Sequence, residues 1–137
     1  MSDKILIDTN LWVYLYSKDP KEKYQKVIKL IGENFDTIIV STQVLGELYN
    51  VLTKKSYRTK DEAEAIIVEM VATFSVIEIE AVNVLKAIEI NKQHQYSYWD
   101  SSMIAAALLN NCHALYSEDL QHEQLIAKSL HIISPFQ

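Results

Sequence analysis

Glycine, proline and cysteine are nearly absent: the 137 residues hold two glycines, two prolines and one cysteine. Gly32 and Gly46 stand alone, which excludes a glycine-rich phosphate loop and a dinucleotide-binding fingerprint, since each needs several glycines in one turn. Cys112 has no second cysteine to pair with, and its apolar neighbours read it as a buried thiol in a reducing, cytoplasmic setting. No Cys/His zinc pattern occurs; the histidines are scattered at 94, 113, 122 and 131. The longest apolar run, Met103 to Leu109, falls far short of the roughly 20 residues of a membrane span. The first residues also lack the apolar core of a signal peptide, so a soluble, unprocessed chain is expected. Basic charge is in deficit as well: 13 Lys and Arg against 18 Asp and Glu give a net charge of −5, which argues against nucleic-acid affinity drawn from a broad basic surface.

What is present is an alternation of strand-like and helix-like segments in a length suited to one domain, 1–137. Lys4-Ile5-Leu6-Ile7 is an apolar run that stops on Asp8, as a strand covered on both faces would, and Asn10 can open a helix to about Tyr16. After a break at Ser17-Lys18-Asp19-Pro20, a second helix runs from Lys21 toward Gly32. Thr37 to Val40 is a second strand, and Ser41 or Thr42 caps a helix through Glu47 to about Thr53. Thr59 with Glu62 forms a capping box ahead of a helix to about Phe74, followed by a third strand at Ser75 to Ile79 and a helix to about Gln93. Ser97 opens an Ala-rich helix through Leu109; Ala114 to Ser117 and Leu130 to Ile133 are the fourth and fifth strands. The pattern predicts an α/β fold with a mostly parallel sheet and helices on both faces.

Four acids stand where a purely structural chain rarely puts them. Asp8 and Asp119 both follow strand-like runs, and in open α/β sheets ligands bind beyond the carboxyl ends of strands. Glu47 lies on the edge of an apolar helix stripe formed with Val44, Leu48 and Val51. Asp100 has Met103, Ile104 and Ala107 at its i+3, i+4 and i+7 positions, which predicts an inward carboxylate. Neither inward face carries a lysine or arginine at helical spacing, and buried carboxylates are seldom left without a partner, so a divalent cation is the economical partner. Each acid also has a structural alternative: Asp8 and Asp100 as helix caps, Glu47 as a residue reaching out from the rim of its stripe.

Taken in order, Ile7-Asp8-Thr9-Asn10, Val44-Leu45-Gly46-Glu47-Leu48, Trp99-Asp100-Ser101-Ser102-Met103-Ile104-Ala105 and Ser117-Glu118-Asp119-Leu120 resemble the PIN-domain nucleases, and their size and order resemble the VapC-like toxins of bacterial toxin-antitoxin pairs. The resemblance implies a parallel sheet in the order 3-2-1-4-5. It also implies Mg²⁺- or Mn²⁺-dependent hydrolysis of RNA phosphodiester bonds, an antitoxin protein as partner, and a homodimer. Asp8, Asp100 and Asp119 then become metal ligands, with Glu47 binding a second ion or orienting the attacking water, and Asn10 or Ser117 holding the carboxylates by hydrogen bonds. Alternation along an extended chain puts Glu118 and Asp119 on opposite sides, with Asp119 on the side of Ser117, which favours Asp119 as the fourth acid. Two alternatives are a catalytically weak PIN-like interaction subunit and a metal-dependent phosphohydrolase; Asn10, where the haloacid dehalogenase pattern has a second aspartate, counts against the latter.

For RNA contacts, Lys54, Lys55, Arg58 and Lys60 with Tyr57 between them are the candidates, against the reading of a solvated turn. Tyr96, Tyr98 and Trp99 are candidates for base stacking, with a core role for Trp99 as the alternative; His122, three residues past Asp119, is a further candidate for a phosphate contact, against an ordinary surface histidine. Trp12, Tyr16 and Tyr24 exceed what one narrow helix stripe absorbs, which predicts that they serve a homodimer.

Overall fold

The structure is a computed structural model that describes residues 3–137. Six strands form one sheet in the order β3-β2-β1-β4-β6-β5: β1 (Ile5–Ile7), β2 (Ile38–Ser41), β3 (Ser75–Ile77), β4 (Ala114–Tyr116), β5 (Leu125–Ile126) and β6 (Leu130–Ile133). Every pairing is parallel except β5 with β6. The predicted order holds, with Leu130 to Ile133 as the strand beside β4, but the sheet has six strands rather than five. The extra strand is two residues long, and the turn behind it sets Ala127 and Lys128 at φ of 52° and 61°. Gly or Asn usually fills such positions, so the sequence carries no hairpin signature there.

The helices are α1 (Thr9–Ser17), α2 (Lys21–Asn34), α3 (Thr42–Lys54), α4 (Lys60–Thr73), α5 (Ala81–Gln93) and α6 (Tyr98–Leu109), with a 3-10 turn at Phe35–Thr37. Their starts follow the sequence signals. Ser41 accepts a hydrogen bond from the Val44 N–H, Thr59 and Glu62 form the capping box, and Ser97 accepts from the Asp100 N–H. Asp8 itself caps α1, accepting from the Thr9 N–H at 2.7 Å, so that helix opens one residue earlier than expected. Helix α6 is buried from Ser101 to Ala107 and packs on α5 and β4; its run Ala105-Ala106-Ala107 lets the backbones come close. Cys112 is buried, and burial pushes its thiol up to about 11, which leaves it unreactive.

Trp12 is a correction. It is 1% exposed, donates from Nε1 to the Ile7 carbonyl at 3.2 Å, and packs edge-on against Phe74 with ring centroids 5.5 Å apart. The monomer core absorbs it, so it cannot serve a dimer face, and Tyr16 and Tyr24 are half-buried. Exposed apolar side chains are most numerous on α5 (Val82, Val84, Leu85, Ile88), with Val68 and Val71 on α4 and Ile28 on α2.

Trp12→Ala is therefore expected to cost about 3–5 kcal/mol of folding stability in urea unfolding, the range for emptying a buried aromatic site.

Candidate active site

The parallel pairing of β1 with β4 aligns Ile7 with Tyr116, and the Asp8 N–H continues the ladder by donating to the Tyr116 carbonyl at 2.8 Å. Asp8 and Ser117 therefore leave the sheet side by side at its carboxyl edge. A cleft of about 570 Å³ opens there, and Asp8, Glu47, Asp100 and Asp119 all line it. Three helices contribute: Asp8 caps α1, Glu47 comes from the second turn of α3, and Asp100 from the first turn of α6. Asp119 sits on the irregular segment after β4, which ends as regular strand at Tyr116.

A chain of hydrogen bonds runs through the site. The Ser117 hydroxyl donates to Asp8 Oδ2 at 2.7 Å, and its oxygen accepts from the Asp119 N–H at 3.2 Å. Thr9 donates from its hydroxyl to Glu47 Oε1 at 2.7 Å. Gln43 donates to Glu47 Oε2 at 3.3 Å and accepts from the Ser102 hydroxyl at 2.7 Å, which ties α3 to α6. Asn10 Nδ2 donates to Asp119 Oδ2 at 2.9 Å. Among the described residues, no lysine, arginine or histidine forms an ion pair with any of the four acids.

That arrangement is electrostatically unfavourable without a cation. Asp8 is 9% exposed, and its pKa rises to about 6: burial is the main cause, Glu47 and Asp100 add repulsion, and the Ser117 and Thr9 hydrogen bonds oppose the rise. Asp100 is also raised, chiefly by burial, with Asp119 and Glu47 adding repulsion and Ser97 easing it. Among the described residues no three His, Cys, Asp or Glu side chains stand as a ready-made ligand set. The donor chemistry nonetheless fits a hard divalent ion. It is all oxygen, and Asn10 Oδ1 is a buried acceptor with no hydrogen-bond partner.

Glu118 is placed differently from Asp119. It pairs with Lys23 and accepts from the Tyr14 hydroxyl at 2.6 Å, and although burial opposes it, these bonds hold its pKa below the usual glutamate value. Of the basic cluster, Lys55 lines the cleft together with Tyr57, whereas Lys54 and Lys60 do not. Arg58 is turned away from it: Nη2 donates to the Tyr16 carbonyl at 2.9 Å and Nη1 to the Tyr57 carbonyl at 2.7 Å. The first of these satisfies a carbonyl at the end of α1 that no helical N–H can reach. His122 accepts from the Ser134 N–H at 2.9 Å, a structural contact rather than one to the cleft. Trp99 is 64% exposed, so it has no core role. Sequence reasoning passed over Thr9 and Gln43, although the i, i+4 spacing of Gln43 and Glu47 puts both on one helix face.

No curated protein sequence matches the chain. Solved structures share its fold. VapC20 of Mycobacterium tuberculosis, a sarcin-ricin loop cleaving toxin, has a TM-score of 0.70 at 20% identity, covering 85% of this chain and 90% of its own. A toxin-antitoxin complex from Klebsiella pneumoniae gives 0.74 at 15% identity over 98% and 99% of the two chains. VapBC2 from Rickettsia felis, bound to a DNA fragment from the promoter, gives 0.67 at 20% identity over 93% and 97%. The PIN domain model matches residues 5–127, from the first residue of β1 to the turn after β5, and the chain belongs to the PIN-domain family.

Proposed function

We propose that this PIN domain is a Mg²⁺- or Mn²⁺-dependent ribonuclease acting in the cytoplasm as the toxin of a toxin-antitoxin pair. The observation that carries the reading is the convergence of Asp8, Glu47, Asp100 and Asp119 on one cleft at the topological switch point of the sheet, with neutral donors around them and no cation paired to them among the described residues. Asp8, Asp100 and Asp119 hold the ion. Glu47, oriented by Thr9 and Gln43, binds a second ion or accepts a proton from the attacking water. A bound ion supplies Lewis-acid polarisation of the scissile phosphodiester. Lys55 meets a backbone phosphate at the cleft mouth, where Tyr57 offers a ring for a base.

The toxin-antitoxin complexes among its structural neighbours support an antitoxin partner, and a basic antitoxin segment would complement the acidic cleft. The exposed apolar residues of α4 and α5 support a homodimer.

Thermal melts with EDTA and with Mn²⁺ test the metal reading. At Mn²⁺ a hundredfold above its dissociation constant, wild type gains about 2.7 kcal/mol. Asp100→Asn is expected to match or exceed wild type in EDTA, because one repelling charge is gone. It should lose most of the Mn²⁺ gain and cut RNA hydrolysis by orders of magnitude. Equal Mn²⁺ gains in both proteins would falsify metal ligation at Asp100.

The raised Asp8 pKa sets a pH dependence. The folded chain keeps this proton up to about pH 6 and the unfolded chain only to the ordinary aspartate value of 3.8, so between those values the folded state binds more protons. The contribution of Asp8 to metal-free stability should therefore fall as pH rises through that window, by about 3 kcal/mol. Asp8→Asn is expected to flatten the fall in urea unfolding with EDTA; an unchanged pH profile in the variant would assign the fall to another group.

RNA binding separates the two neighbouring cations. Lys55→Gln should weaken binding of single-stranded RNA similarly for all sequences and reduce the salt slope by about 0.7. Arg58→Gln should leave the slope unchanged and lower the melting temperature, since it loses the Tyr16 carbonyl contact. A slope change with Arg58→Gln alone would reverse the assignment.

A further inference from the structure

Asp119 is the most exposed of the four acids. It lies in an irregular segment, and its own contacts are the Asn10 side chain at 2.9 Å and, through its N–H, the Ser117 hydroxyl at 3.2 Å. The residue before it is fixed much more firmly. Glu118 is paired with Lys23 of α2 and accepts from the Tyr14 hydroxyl of α1 at 2.6 Å. Lys23 Nζ also donates to the Tyr14 hydroxyl at 3.3 Å. The same ammonium lies 5.2 Å from the Tyr14 ring centroid and 5.1 Å from that of Phe136, and the two rings meet edge to face at 5.8 Å. One lysine thus closes a ring of contacts among α1, α2, the segment after β4 and the carboxyl-terminal residues.

The geometry points to Lys23 as a positioning residue for Asp119: by holding Glu118 beside Tyr14 while its own ammonium lies by the Phe136 ring, it fixes the next carboxylate at the cleft. This rests on the metal reading above. Consecutive Cα atoms are about 3.8 Å apart, so a backbone shift at Glu118 also moves the chain that carries Asp119. A partly exposed ion pair contributes little to global stability, so the main effect of the clamp is local.

The sign of one effect makes the inference testable. Lys23 is a cation close to an acidic cleft, and through space alone its removal would strengthen cation binding. The clamp requires the opposite. Calorimetric titration of the full chain with Mn²⁺ alone, for wild type, Lys23→Met, Glu118→Gln, the double variant and Lys23→Arg, is read beside melting temperatures in EDTA. The expected result is a dissociation constant about tenfold higher in each single variant, as for residues that orient metal ligands. The double variant should be no worse than either single one, because both remove the same clamp. Lys23→Arg should recover most of the affinity, and melting temperatures in EDTA should move little. Unchanged or tighter Mn²⁺ binding by Lys23→Met overturns the inference, as does a double variant whose losses multiply, or a fall in melting temperature with affinity intact. Should Lys23→Met fail to fold, Glu118→Gln against Lys23→Arg decides by the same affinities. A wild-type chain that takes up no Mn²⁺ overturns the metal reading itself and this inference with it, a result seen before any variant is compared.

Discussion

The hydrogen bond between Ser117 and Asp8 is the contact from which the rest of the site is laid out. It exists because β1 and β4 are parallel neighbours in the register Ile7 to Tyr116, so two polar residues leave the sheet together. Asp8 then caps α1, which delivers Thr9 to Glu47 and Asn10 to Asp119. The hydroxyl of Ser117 reaches the backbone of Asp119. Fold and site share these bonds: the groups that start the helix and continue the ladder also orient the carboxylates.

Charge is partitioned with the same economy. Inside the cleft the carboxylates are held by Ser, Thr, Asn and Gln, neutral donors that fix direction without neutralising charge. Of the cations around the site, Lys23 faces Glu118 and Arg58 a helix-end carbonyl, while Lys55 lines the cleft without an ion pair to any of the four acids among the described residues. Burial raises the Asp8 pKa, Glu47 and Asp100 add repulsion, and only the neutral Ser117 and Thr9 donors oppose the rise.

Much of this was legible in the sequence because it is governed by short-range rules. The buried run ending at Asp8, the caps at Ser41, Thr59 and Ser97, and the stripe with Glu47 at its edge follow from periodicity and from side-chain bonds over three or four residues. Glu118 and Asp119 face apart as alternation suggested, although the strand stops at Tyr116 and the separation comes from different partners, Lys23 for one and Asn10 for the other. What stayed hidden depends on contacts between distant segments. Arg58 reads as a phosphate-binding residue until Tyr16 is found beside it, 42 residues away. Trp12 reads as surplus on a helix stripe until Phe74 is brought against it, and Gln43 acquires its place only when Ser102 arrives from α6. Leu125 and Ile126 pair with the edge that β6 offers, in a strand of two residues that is too short to carry a periodicity.

The small side chains of α6 have a consequence for how the cleft can vary among chains of this fold. Asp100 is carried by a helix whose next turns, through Ala105, Ala106 and Ala107, are fully enclosed and have no room to yield. Because interiors are packed near crystalline density, a larger residue at any of these alanines would displace the helix rather than compress its surroundings. The amino end of α6 would swing, and Asp100 would move with it relative to Glu47 and Asp8. The alanine run thus acts as a spacer whose thickness calibrates the width of a cleft it never touches.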